Sequence, residues 1–237
     1  MVKRKGIIIN WIKAYFGQFD ETKKVVIGIS GGKDSTICAK LLVEALGEDR
    51  AIGIIMPNGI QTDIEDSIRV CELLGIEYKI KNIKKVVDAE FDLIGEDITE
   101  DAKINTPARI RMTTLYGLAP KYNALVVNTC NLSEDYIGYA TKYGDGAGDF
   151  SLLGGLTVTE VRELGIELGL PEDLVYKTPS DGLCGLSDED RIGFSYEVLD
   201  RFIREGVCED ETIRAKIIDM HVKAMHKLLP MPCFKVA

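Results

Sequence analysis

Short apolar runs alternate with amphipathic stretches along the first half of the chain. The runs Val25 to Ile29, Ala51 to Met56, Glu77 to Ile80 and Leu125 to Val127, the last ending at Asn128-Thr129, read as strands. Between them, residues 36–46, 63–74 and 106–119 repeat apolar side chains at helical spacing, and an amphipathic helix over residues 7–19 precedes them all. Strands that alternate with helices imply right-handed crossovers, and therefore a doubly wound, mostly parallel α/β sheet with helices on both faces. Lys142 to Asp149 is too rich in glycine and aspartate for a regular element. Beyond it, Thr157 with Glu160 forms a capping box for a helix striped by Leu156, Val161, Leu164 and Leu168 and closed by Gly169 and Pro171. Residues 188–205 and 210–229 read as two final helices. The polar stretches 84–106 and 181–190 are candidate lids.

The junction of the first strand with its helix carries the strongest chemical signal. Ser30-Gly31-Gly32-Lys33-Asp34-Ser35 is a glycine-rich turn feeding a helix N-terminus, where unpaired N–H groups and the positive helix end attract phosphate. It is not a Walker A loop: Ile27 stands where the first glycine belongs, and Asp34 follows Lys33 where Ser or Thr should hold magnesium. A carboxylate beside phosphate is tolerable when a divalent cation lies between them.

Composition narrows the reading. With 237 residues, 46% hydrophobic and 28% charged, residues 1–237 read as one globular domain. A formal net charge of -9 argues against non-specific nucleic-acid or acidic-membrane binding, so an anionic ligand must be held by a few local cations. Lys3, Arg4 and Lys5 ahead of Gly6-Ile7-Ile8-Ile9 imitate a signal peptide, but Asn10 and Lys13 interrupt the apolar run and no small-residue cleavage site follows. No stretch reaches the ~20 apolar residues of a membrane span. The six cysteines form no C-x-x-C pair and read as buried thiols of the cytoplasm.

Ser-Gly-Gly-x-Asp-Ser after a strand resembles the signature of ATP pyrophosphatases, which cleave ATP between its α and β phosphates. Further blocks follow: Asn105-x-Pro107-Ala108-Arg109-x-Arg111-Met112-x-x-Leu115-Tyr116, then Asn128-Thr129-x-Asn131-x-Ser133-Glu134-x-x-x-Gly138-Tyr139-x-Thr141-Lys142-Tyr143-Gly144-Asp145-Gly146. Lys177-x-Pro179-Ser180, Asp188-Glu189 and His226-Lys227-x-x-Pro230 complete the series. In order and spacing these blocks resemble the ammonia-dependent NAD synthetases over nearly the whole chain.

That resemblance implies a Rossmann-like sheet of the adenine nucleotide alpha hydrolase type and a ligase. The nicotinate carboxylate of deamido-NAD attacks the α-phosphorus of ATP, pyrophosphate leaves, and ammonia displaces AMP from the acyl-adenylate to give NAD. By similarity, Gly28, Ile29, Ser30, Gly31, Gly32, Lys33, Asp34 and Ser35 surround the ATP phosphates, with Lys33 at the loop's variable position and given no role of its own. Thr129 and Ser180 contact ATP, Asp34 and Glu134 ligate Mg2+, and Arg109, Lys142, Asp149, His226 and Lys227 hold deamido-NAD. The bland reading of Glu134 is an N-cap partner of Ser133 or a solvated first-turn charge. An exposed helix arginine suits Arg111 better than Arg109, and His226 reads equally well as a surface histidine. Free ammonia is the expected donor, since no glutaminase domain is evident, and the family implies a homodimer. Two departures stand out: Val158 occupies the place of a lysine that contacts ATP in the family, with Lys177 or Lys142 as possible substitutes, and Cys184 replaces a frequent aromatic. The alternatives are another adenylating ATP pyrophosphatase, such as a tRNA-modifying one, or a catalytically weak nucleotide-binding homologue.

Overall fold

The computed structural model describes residues 4–177 and 188–235. Helix α1 (Arg4–Phe16) leads into β1 (Lys24–Gly28), α2 (Lys33–Leu46), β2 (Ala51–Ile55), α3 (Ile64–Leu74) and β3 (Glu77–Ile80). Helices α4 (Lys84–Ile94) and α5 (Glu100–Leu118) precede β4 (Ala124–Asn128), α6 (Leu132–Ile137) and the short β5 (Phe150–Ser151). Helices α7 (Val158–Glu167), α8 (Glu172–Val175), α9 (Asp188–Ile192), α10 (Tyr196–Glu205) and α11 (Glu211–Leu228) complete the described chain.

All five strands are parallel, in the order β3-β2-β1-β4-β5. β1 pairs with β2 through Val26 opposite Ile52 and with β4 through Val25 opposite Leu125. Alternation along the central strands sends side chains to opposite cores. Val25 and Ile27 meet α1, α2 and α7 through Ile12, Ile37, Leu41 and Leu164, while Val26, Ile52 and Ile54 meet α4 and α5 through Val87, Met112 and Leu115. Ile27, Ile37, Leu41 and Leu42 are fully buried. Each such side chain stabilises the fold by roughly 1.5–3 kcal/mol. A third cluster, built on Ile137, Val158, Tyr196, Leu199 and Ile217, joins α6, α7, α10 and α11. Strand order reverses between β1 and β4, so the cleft at their carboxyl ends is where an open parallel sheet receives a ligand.

Three boundaries differ from the sequence reading. The helix expected from residue 106 begins earlier: Thr99 caps α5 by accepting the Ala102 N–H, and the helix carries Pro107 in its interior. Most of the 84–106 stretch is therefore helical. The single helix expected over 188–205 is broken at Gly193, whose φ of 77° only glycine adopts readily, and Ser195 caps the next helix. Residues 132–137, not singled out as a helix, form α6. Cys38, Cys71 and Cys130 are buried as expected, but Cys208 is half-buried and Cys233 exposed. Ser180, Pro179, Cys184 and most of the 181–190 stretch lie outside the described residues. No helix among those described is long and apolar enough to cross a membrane.

Candidate active site

The loop after β1 is stapled by its own serines. Ile29 continues the sheet by donating its N–H to the Ile54 carbonyl, and Ser30 then turns the chain. Ser30 Oγ accepts the Gly32 N–H at 3.2 Å and lies 3.1 Å from Ser35 Oγ, which itself donates to the Gly32 carbonyl. Gly31 takes a φ of 76°, and a Cβ there would meet Asp66 and the Ser67 backbone at 3.0 Å, so glycine is required on two counts. No side chain caps α2 at Gly32, which leaves the first N–H groups of that helix free for a ligand.

Two carboxylates face this loop. Asp34 accepts a hydrogen bond from Lys33 Nζ at 2.7 Å and another from Asn131 Nδ2 at 3.1 Å. Asn131, fully buried in the loop after β4, also caps α6: its Oδ1 accepts the Glu134 N–H, while Glu134 Oε2 accepts the Asn131 N–H. One amide thus ties the β1 loop to the β4 loop and fixes both acids. Burial, then the charge of Asp34, raises the Glu134 carboxyl well above the ordinary carboxylate range, with Lys33 pulling the other way. The bland reading of Glu134 is half realised, since it is a capping-box residue, but its partner is Asn131 rather than Ser133. Ser133 Oγ instead donates to Asp200 and accepts the Val158 N–H at 3.0 Å. Thr129 stands half-buried just past the end of β4.

Four of the five substrate candidates form a second assembly. Arg109 Nε on α5 donates to the Lys142 carbonyl at 3.2 Å, and Lys142 Nζ donates to the carbonyl of His226 on α11. Lys227 Nζ reaches back to the Gly138 and Ala140 carbonyls at 2.7 and 3.0 Å. The His226 ring is exposed and its Nδ1 meets the Lys223 carbonyl at 2.8 Å. Between these elements lies a cleft of about 420 Å³ lined by Ala140, Lys142, Tyr143, Lys227 and Leu228 to Met231. Asp149 stands apart, accepting the Val126 N–H at 2.7 Å and the Tyr116 hydroxyl at 3.2 Å beside a smaller cleft that includes Lys23 and Asn123. Arg109 and Arg111 exchange the expected characters. Arg109 is exposed, whereas Arg111 is half-buried with its Nε on the Met56 carbonyl at 3.0 Å, and burial lowers its pKa.

The NAD synthase family model matches residues 6–236. The chain belongs to that family. It is 40% identical over 213 residues to the NH3-dependent NAD+ synthetase of Pyrococcus furiosus, covering 86% of this chain and 82% of that one. Among solved structures it resembles an NMN synthetase from Francisella tularensis, with a TM-score of 0.88, 34% identity and 97% of each chain covered. It also resembles an NH3-dependent NAD synthetase from Campylobacter jejuni, with a TM-score of 0.80, 30% identity, and 98% of this chain and 97% of that one covered.

Against this NAD synthase background, Val158 is fully buried in the third apolar cluster and cannot face a nucleotide. Neither suggested substitute is free: Lys177 is held by Asp63 and Asp66, and Lys142 by His226. Sequence reasoning gave Lys33 no role, yet it is buried and supplies the cation beside Asp34. Its place at the first position of α2, next to an acid, was the available signal. Asn131 appeared only as a letter in a motif, because nothing local shows that one side chain serves two loops.

Proposed function

We propose that this chain forms NAD from deamido-NAD, ATP and ammonia through an acyl-adenylate, releasing AMP and pyrophosphate. The observation that carries this reading is the convergence of Asp34 and Glu134, held by Asn131, at the uncapped N-terminus of α2. Family membership and the NH3-dependent relatives support the same chemistry.

The N–H groups at the start of α2 receive phosphate oxygens and Lys33 adds positive charge, which offsets the repulsion between the triphosphate and the two acids. Thr129 and Ser180 contact ATP. Arg109, Lys142, His226 and Lys227 hold the acid substrate from the cleft side, and Asp149 contributes from the β4 flank. Aligning two polyanions and sheltering the adenylate from water are the tasks left to the protein, and neither needs a protein nucleophile. The oxygen-only donor pair suits Mg2+. Among the described residues no group of three or more His, Cys, Asp or Glu is gathered, so phosphate oxygens and water would supply the other ligands. When bound, Mg2+ neutralises charge as pyrophosphate departs. We assign the enzyme to the cytoplasm as a homodimer; Leu229, Met231 and Phe234, exposed beside or beyond the cleft, suit burial against a second copy.

A second reading follows from the likeness to an NMN synthetase: the same amidation applied to the mononucleotide acid. A direct comparison decides between them. Purified protein with ATP, magnesium and ammonium is given deamido-NAD or nicotinate mononucleotide, and NAD and NMN are quantified. The primary reading expects NAD with equimolar AMP, and glutamine failing to replace ammonium. Preferential NMN formation establishes the second reading, and neither product refutes both.

A further inference from the structure

Arg162 lies on α7, one turn beyond Val158. Its Nε is shut away from solvent and has no hydrogen-bond partner among the described residues. An unpaired buried donor is costly, and a charged one more so, hence an external acceptor is the natural complement.

The packing of α7 on α2 says where that acceptor lies. Gly165, three residues past Arg162, abuts α2 so closely that a Cβ would lie 3.1 Å from Ile37. One turn back on both helices brings Arg162 to the side of Lys33. Burial lowers the Lys33 pKa and the charges of Asp34 and Glu134 raise it by more, while the nearby Arg162 charge opposes that rise last and least. Adjacent like charges at an uncapped helix N-terminus are relieved by a polyanion. Lys177 is tied to Asp63 and Asp66, and Lys142 stands at the cleft against the His226 carbonyl, so neither supplies a second cation beside Lys33.

We propose that Arg162 grips the triphosphate of ATP at the pyrophosphate end, supplying the charge that Val158 cannot. This rests on ATP being the co-substrate. A guanidinium matches two phosphate oxygens at once and keeps its charge at every working pH. Arg162 would therefore favour nucleotides that carry the β and γ phosphates over AMP.

The test is calorimetric binding of ATP, pyrophosphate and AMP, each with magnesium, to the full chain and to Arg162→Ala, Arg162→Gln and Arg162→Lys. Arg162→Ala should lose roughly tenfold to a hundredfold in affinity for ATP and pyrophosphate, with AMP binding and melting temperature nearly unchanged. Arg162→Lys should recover part of the loss. In turnover, KM for ATP should rise while KM for the acid substrate stays put. Should Arg162→Ala fail to fold, Arg162→Gln retains most of the side-chain volume and serves the same comparison. Unchanged ATP affinity, or an equal loss for AMP, overturns the proposal. Absence of ATP binding by the unaltered chain would instead overturn the nucleotide reading on which it rests.

Discussion

The two halves of the site are built in opposite ways. At the β1–β4 rim, side chains bind side chains: buried Lys33 and Asn131 with half-buried Asp34 and Glu134 form a closed set anchored on two strands of the central sheet. At the cleft, by contrast, Arg109, Lys142 and Lys227 rest their charged ends on backbone carbonyls of residues 138–142 and of His226 on α11. The rim is set before ligand arrives, whereas a lysine on a carbonyl can exchange that partner for a phosphate at small cost. Fixed geometry thus sits where we propose that bond-making occurs, and adaptable cations sit where we propose that the acid substrate is recognised.

The contrast is broken most severely at the rim. Asp34→Asn removes one of the two carboxylate charges and should lower turnover by at least ~10²–10³-fold, with the fold retained. Steady-state rates across a magnesium titration check this, and magnesium-dependent turnover near the unaltered level would refute a metal role for Asp34. Next in size, Asn131→Ala frees Asp34 and removes the cap of α6. Turnover should fall ~10–100-fold and stability by about 1 kcal/mol. Denaturant melts and rates on the same preparation separate the two effects.

Cleft substitutions should be milder and selective. Lys142→Met is expected to raise KM for the acid substrate about tenfold, as for one lost charge-assisted contact, while KM for ATP changes little. Equal rises in both would mean the two regions are not separable.

The smallest effect is a pH dependence confined to the rim. Glu134 is raised in the folded chain to about 8, so below that pH a cation must displace its proton. Magnesium affinity should rise with pH from the ordinary carboxylate range to about 8 and then level off. The metal-free fold runs the opposite way: between the ordinary carboxylate range and about 8 it loses stability as pH rises, because folding holds a proton on Glu134 that the unfolded chain has released. Magnesium binding followed at pH 6, 7 and 8 tests this, and Glu134→Gln should flatten the curve.

The same division governs what the sequence discloses. The apolar alternation and Ser30 to Ser35 placed the sheet, the loop and its position at the carboxyl ends, because strand period, glycine turns and helix starts are local properties. Asn131 linking two loops, the burial of Lys33, and the exchange of character between Arg109 and Arg111 depend on which strands become neighbours, and no local pattern encodes that. Thr99 captured the start of α5 from Pro107 because a good cap eight residues upstream outweighs one missing hydrogen bond. The break at Gly193 was concealed inside an otherwise helical run.

Isotope transfer tests the proposed chemistry most directly. Deamido-NAD carrying ¹⁸O in its carboxylate is turned over with ATP, magnesium and ammonium, and the nucleotide and phosphate products are examined by mass spectrometry. Adenylation at the rim predicts one labelled oxygen in AMP, unlabelled pyrophosphate and NAD in equal amount. ADP and labelled phosphate in place of AMP and pyrophosphate would contradict it, because the acid would then have attacked the γ-phosphorus.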